Sequence, residues 1–78
     1  MDDFVEFIAK SLVDDPTQVE VREYRRGSQV IVNLRVAKED MGRIIGRGGK
    51  VAGAIRTLLR VSAAQEGIRA ILDISEPD

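Results

Sequence analysis

Apolar residues near the N-terminus recur at helical spacing: Phe4, Ile8 and Leu12 stand four apart, with Val5 beside the first. Asp3, followed three residues later by Glu6, makes a capping pattern ahead of that run. A helix is predicted over about Asp3 to Val13, ended by Pro16, because the residue before a proline avoids helical angles. The period then falls to two. Val19 and Val21 alternate with Glu20 and Arg22, which predicts a strand over about Thr17 to Tyr24. Arg25-Arg26-Gly27-Ser28 reads as a turn. Beyond it Val30, Val32, Leu34 and Val36 share one face of a second strand, and Gln29, Ile31, Asn33 and Arg35 share the other, so the two strands form an antiparallel hairpin. Ile31 stands out on the polar face, where either a helix covers it or a ligand meets it.

A short helix is predicted from Lys38 to Ile45, with Glu39 and Asp40 in its acid-favouring first turn. Gly42 inside it suggests a close approach. Val51, Ala54, Ile55, Leu58, Leu59 and Ser62 mark a longer helix from Lys50 to Gln65, with Gly67 suited to its C-terminal cap. Leu58 and Leu59 are adjacent, so both cannot enter the same core. Ile68, Ala70, Leu72 and Ile74 alternate with Arg69, Ile71 and Asp73 as a last strand, and Ser75 to Asp78 are expected to fray. The order is α-β-β-α-α-β. It predicts one α+β domain over residues 1–78, a three-stranded sheet with three helices packed on one face.

Length and composition then narrow the picture. A chain of 78 residues buries only roughly 60% of its unfolded surface, and small domains commonly add disulfides, metals or partners. With no Cys and no His, association is the remaining route, and a dimer is expected. The acidic start, Met1-Asp2-Asp3, and the lack of a long apolar run predict neither a signal peptide nor a membrane span. Together with the absence of Cys, this makes a cytoplasmic location the expectation. The net charge of −1 speaks against general affinity for nucleic acid, but its distribution does not. Residues 24–62 carry nine basic side chains against Glu39 and Asp40, and no acid lies between Met41 and Ser62. Such a local field matters more than the total.

The candidate chemistry sits in Ile44-Ile45-Gly46-Arg47-Gly48-Gly49-Lys50. Glycines serve where φ must be positive or another backbone must come close. A chain that turns on them and restarts as a helix presents backbone N–H groups to an anion. Arg47 and Lys50 add full charges at that corner. The P-loop pattern fails, because Gly49-Lys50 is followed by Val51 and Ile44 holds the first glycine position. A dinucleotide fingerprint fails as well, lacking a glycine at Val51 and a strand before the loop. The plain alternative is an ordinary helix–turn–helix corner.

Gly46-Arg47-Gly48-Gly49 between a short and a longer helix, with Arg56 eight residues after Gly48, resembles the KH domain, a module that clamps about four nucleotides with its GXXG loop. The element order is similar to that of a type II KH domain, and the length is similar to that of the small bacterial KhpA-type RNA-binding proteins. That resemblance implies binding of single-stranded RNA by residues 43–51: Arg43, Ile44, Ile45, Gly46, Arg47, Gly48, Gly49, Lys50 and Val51. Arg47 and Lys50 would meet phosphates, Arg43 would extend the same edge, and one of Ile44 and Ile45 would enter the core while the other floors a groove for bases. It also implies a role as an RNA chaperone or post-transcriptional regulator, and association as a homodimer or with a KhpB-type KH protein. The competing expectation is an interaction module that uses the same helix–loop–helix mainly to dimerise. Aromatic side chains are scarce, limited to Phe4, Phe7 and Tyr24. Base-stacking platforms of the RRM or OB type are therefore not expected, and the two phenylalanines are expected in or near the core. An enzyme is not expected either. Without His or Cys, Ser11, Ser28, Ser62 and Ser75 have no evident base. No cofactor or metal is implied.

Overall fold

Strand β2 (Gln29–Arg35) is the centre of the sheet, because it is the strand whose alternate residues are all apolar and all buried: Val30, Val32 and Leu34. The computed structural model describes residues 2–76. Helix α1 (Asp2–Leu12) is followed by β1 (Glu20–Arg26), β2, a short helix α2 (Met41–Ile45), a long helix α3 (Lys50–Gln65) and β3 (Arg69–Ser75). The sheet order is β1-β2-β3, with β1 antiparallel and β3 parallel to β2. A parallel neighbour requires a crossover, and α2 and α3 supply it. The element order and the α+β class are those expected from the sequence.

The three helices cover one face of the sheet. Beneath them lie Val5 and Ala9 of α1, Val30, Val32 and Leu34 of β2, Ile44 of α2, Ile55, Leu59 and Ala63 of α3, and Ala70 and Leu72 of β3. The buried stripes differ from the expected ones in the same way on both long helices. On α1 the buried residues are Val5 and Ala9, while Phe4 stays partly exposed and Phe7 is 73% exposed, so the phenylalanines are not in the core. On α3 the buried stripe is Ala52, Ile55, Leu59 and Ala63, while Ala54, Leu58 and Ser62 face out. Small residues let a helix settle close to the sheet, and the larger apolar neighbours are then turned to the flanks.

Several boundaries also differ: Lys38–Asp40 is a separate 3-10 turn, so α2 begins at Met41 and not at Lys38. Asp15 accepts a hydrogen bond from the Thr17 amide (3.2 Å), and Pro16 opens a short 3-10 turn over Pro16–Gln18, so β1 begins at Glu20 and not at Thr17. At its other end β1 runs on to Arg26, which pairs with Gln29, so the turn is only Gly27-Ser28. Ser75, expected to fray, ends β3: it pairs with Arg35, and its carbonyl accepts from the Val36 amide at 3.3 Å. Of the expected frayed segment, Pro77 and Asp78 lie outside the described residues. Helix α3 closes as expected on Gly67 (φ 72°), with the Gly67 amide on Ala64 O (3.1 Å) and the Ile68 amide on Ala63 O (3.0 Å). Among the described residues no helix is long and apolar enough to cross a membrane.

Candidate nucleic-acid interface

Helix α2 is a single short coil whose exit is set by Gly46. Its amide donates to Gly42 O (2.9 Å), and the chain then leaves at φ 75°, ψ 171°, a conformation essentially confined to glycine. Space imposes the same choice. A Cβ on Gly46 would lie 2.4 Å from Val51 Cγ2 and 2.9 Å from the Val51 nitrogen. Gly46 is thus glycine for an internal reason, the seating of Val51 against the turn. Gly48 (φ 65°) and Gly49 (φ 76°) are left-handed, but a Cβ on either would meet nothing within 4 Å. These two are the open side of the loop, where another backbone has room to approach.

The loop is closed by its own hydrogen bonds. The Gly49 amide donates to Gly46 O (3.1 Å) and the Lys50 amide to Arg47 O. Part of the N–H run expected to face an anion therefore closes the turn, which leaves the amides opening α3, with the helix dipole behind them, as the other donors at this corner. Arg47 and Lys50 project beside them, both exposed, and among the described residues neither is in an ion pair. The two isoleucines divide between core and surface: Ile44 is fully buried, and Ile45 is 39% exposed next to the glycines.

Arg43 has a more committed position than its sequence suggested. Its Nη2 lies 3.0 Å from Asp14 Oδ2, and its Nε lies 3.8 Å from Asp40 Oδ1. Asp40 is the one buried charged residue described. It makes no side-chain cap on its own helix and accepts instead from the Asp14 amide (3.1 Å) and the Asp15 amide (3.2 Å). The carboxylate thus ties the segment after α1 to the start of α2 and steadies the turn that carries the glycines. Nothing in the local pattern of Lys38-Glu39-Asp40 could have revealed partners 25 and 26 residues away.

Helix α3 extends the site unevenly. Its buried stripe leaves two flanks. On one, Arg56 and Arg60 follow Gly53, and Arg60 joins Arg69, Gln29 and Ile71 around a hollow where α3 meets β3. On the other, Leu58, Val61, Ser62 and Gln65 line a hollow with Phe4 of α1. Arg69 was not singled out from sequence, because only the packing of α3 against β3 brings it beside Arg60. Among the described residues no group of three or more acidic, His or Cys side chains is placed to hold a metal.

Residues 2–74 match the family model described as KhpA/KhpB, KH domain. The chain is 47% identical over 74 residues to the RNA-binding protein KhpA of Caldanaerobacter subterraneus subsp. tengcongensis, covering 95% of this chain and 99% of that protein. It is 45% identical over 74 residues to the RNA-binding protein KhpA of Clostridium acetobutylicum, with the same coverage. With the RNA-binding protein KhpA of Chlamydia caviae it shares 42% identity over 76 residues, 97% of each chain.

Proposed function

Since the chain belongs to the KhpA/KhpB family of KH domains, we propose that it binds single-stranded RNA along the edge formed by residues 43–51 and the basic flank of α3. We propose further that it acts in the cytoplasm as a small RNA chaperone or post-transcriptional regulator. The observation that carries the reading is the glycine turn itself. A Cβ on Gly48 or Gly49 would meet nothing within 4 Å, and Arg47 and Lys50 flank them without a carboxylate partner among the described residues. No acid occurs from Met41 to Gln65. That the relatives are named RNA-binding proteins supports the same reading. A single strand is favoured over a duplex because the exposed apolar side chain of Ile45 offers contact to the face of an unpaired base, which a duplex hides in its stack.

The test is the double variant Arg47→Asp, Gly48→Asp. Left-handed angles are tolerated by Asp better than by most residues, and the position has open space, so the fold should persist by circular dichroism. Two carboxylates at the turn should repel phosphate and reduce binding of a labelled oligonucleotide by more than about tenfold, beyond the loss of one charged hydrogen bond. Unchanged binding by a folded variant would sink the reading.

A second proposal concerns association with another copy or with a KhpB-type protein. Phe4, Phe7, Leu58 and Val61 are exposed on α1 and the neighbouring flank of α3, away from the charged loop. An interface there would leave the glycine turn accessible, whereas the competing reading would bury Arg47 and Lys50 in it, which is costly for unpaired charges.

A further inference from the structure

The helices cover one face of the sheet and leave the other bare, and that bare face is ordered in rows. Strand pairing sets Arg22, Asn33 and Asp73 side by side, then Tyr24, Ile31 and Ile71, then Arg26, Gln29 and Arg69. The middle row is apolar across all three strands. Tyr24 is 51% exposed and Ile71 41% exposed, and Ile31, the out-of-place apolar residue of the polar face, lies between them with none of the described helices over it. Tyr24 shares a hollow with Arg22, Ile31 and Asn33. Arg22 stands beside it in that hollow, its guanidinium pKa raised first by Tyr24 and second by Glu20.

From this juxtaposition we infer that the bare sheet face is a second contact for single-stranded nucleic acid, with a base stacked on Tyr24 between Ile31 and Ile71 and phosphates held by Arg26 and Arg69. The inference rests on the RNA reading above and extends the path of the strand. Charge favours this occupant over a protein. The face carries Arg22, Arg26, Arg35 and Arg69 against Glu20 and Asp73. Glu20 is already engaged by Arg22 at 2.5 Å, and Asp73 accepts from Asn33 at 3.0 Å. Among the described residues, Arg26 and Arg69 enter no ion pair. Size points the same way. Three strands about 4.8 Å apart make a row roughly 10 Å across, right for one or two bases and far short of the ~800 Å² per partner of a stable protein interface. Continuity supplies the route: Arg69 and Ile71 belong both to this face and to the hollow that Arg60 lines, so the basic flank of α3 leads from the loop to the sheet.

A loop that clamps about four nucleotides is therefore followed by a platform that only a longer strand reaches. Tyr24 is the one tyrosine, and there is no tryptophan, so intrinsic emission reports this site alone. The experiment titrates the whole protein with labelled oligouridylates of about four and roughly ten nucleotides, following anisotropy and tyrosine emission together. The longer strand should quench Tyr24 in step with its binding. Tyr24→Ala should weaken it roughly tenfold, the effect of losing one stacked base, and leave the short strand unchanged. Independently, Arg26→Gln with Arg69→Gln, both exposed, should make the log–log salt slope of the longer strand shallower by about 1.4. If the longer strand binds without quenching and both variants match the wild type, the sheet face is wrong and the loop reading stands. If neither strand binds, the loop reading fails and this inference fails with it. A Tyr24→Ala protein with unchanged RNA affinity but a lower mass by light scattering would assign the face to protein contact and overturn the inference.

Discussion

The two flanks of α3 differ in kind, one cationic and one apolar. Toward β3 the helix presents Gly53, Arg56 and Arg60, and Arg69 completes the hollow beside them. Toward α1 it presents Leu58, Val61, Ser62 and Gln65, and Phe4 completes that one. The separation follows from the narrow buried stripe of Ala52, Ile55, Leu59 and Ala63. With alanines at two of its positions the helix seats closely and covers little of its own circumference. One helix therefore has room for a cationic surface and an apolar surface that do not overlap, so the RNA contact and the protein contact proposed above do not exclude one another.

The sharpest way to break that comparison is to move one residue around the helix. Leu59 is 1% exposed and Leu58 is 50% exposed, although they are adjacent. Leu59→Ala should cost about 2–5 kcal/mol in urea unfolding. Leu58→Ala should change stability by less than ~0.5 kcal/mol, lower the average mass by light scattering at high protein concentration, and leave RNA affinity as it was. Loss of RNA binding in Leu58→Ala would mean the flanks are coupled. A smaller effect is expected at Asp40, which ties α1's exit to α2. Asp40→Ala leaves two amides without their acceptor and should cost about 1–3 kcal/mol. Because it loosens α1, the helix that carries Phe4, it should weaken self-association more than RNA binding. Equal losses in both would show that the clamp serves the loop as much as the apolar flank.

What could be read from the chain follows the range of the interactions involved. Helix α3, strand β2 and the glycine turn were legible because each depends on its own residues: a single period, or φ values that only nearby glycines satisfy. On α1 the spacing of Phe4, Ile8 and Leu12 pointed to one edge of the buried stripe: Ile8 packs against the core, but Phe4 and Leu12 are exposed. Size dominates a periodicity argument, while close packing on the sheet selected Val5 and Ala9. The start of β1 was misread because the hydrogen bond from the Thr17 amide to Asp15 competes with strand pairing. Ser75 gained a place in the sheet from Val36 and Arg35, partners distant in sequence. The same limit applies at the site. Gly46, Gly48 and Gly49 could be assigned locally, whereas the pairing of Arg43 with Asp14 and of Arg60's hollow with Arg69 exists only in the folded chain.

The smallest expected effect concerns how many cations the loop edge brings to phosphate. Arg47 and Lys50 have no carboxylate partner among the described residues, but Arg43 is shared between Asp14 and Asp40. Two phosphate contacts predict a log–log salt slope of about −1.4 for a single strand, and three predict about −2.1. To isolate the loop edge, both slopes are measured with a strand of about four nucleotides, the span of a GXXG clamp. The Asp14 pair is a surface bridge, with side chains 55% and 77% exposed, and such pairs contribute only about 0–1 kcal/mol. Arg43 can therefore exchange Asp14 for a phosphate at little cost, yet in the free protein the competition remains. Removing the competitor with Asp14→Ala should steepen the slope from about −1.4 toward −2.1. Unfolding stability should change by less than ~0.5 kcal/mol, since the Asp14 amide keeps its bond to Asp40. An unchanged slope would mean that the buried carboxylate of Asp40 alone holds Arg43, and that the arginine belongs to the clamp and not to the RNA edge.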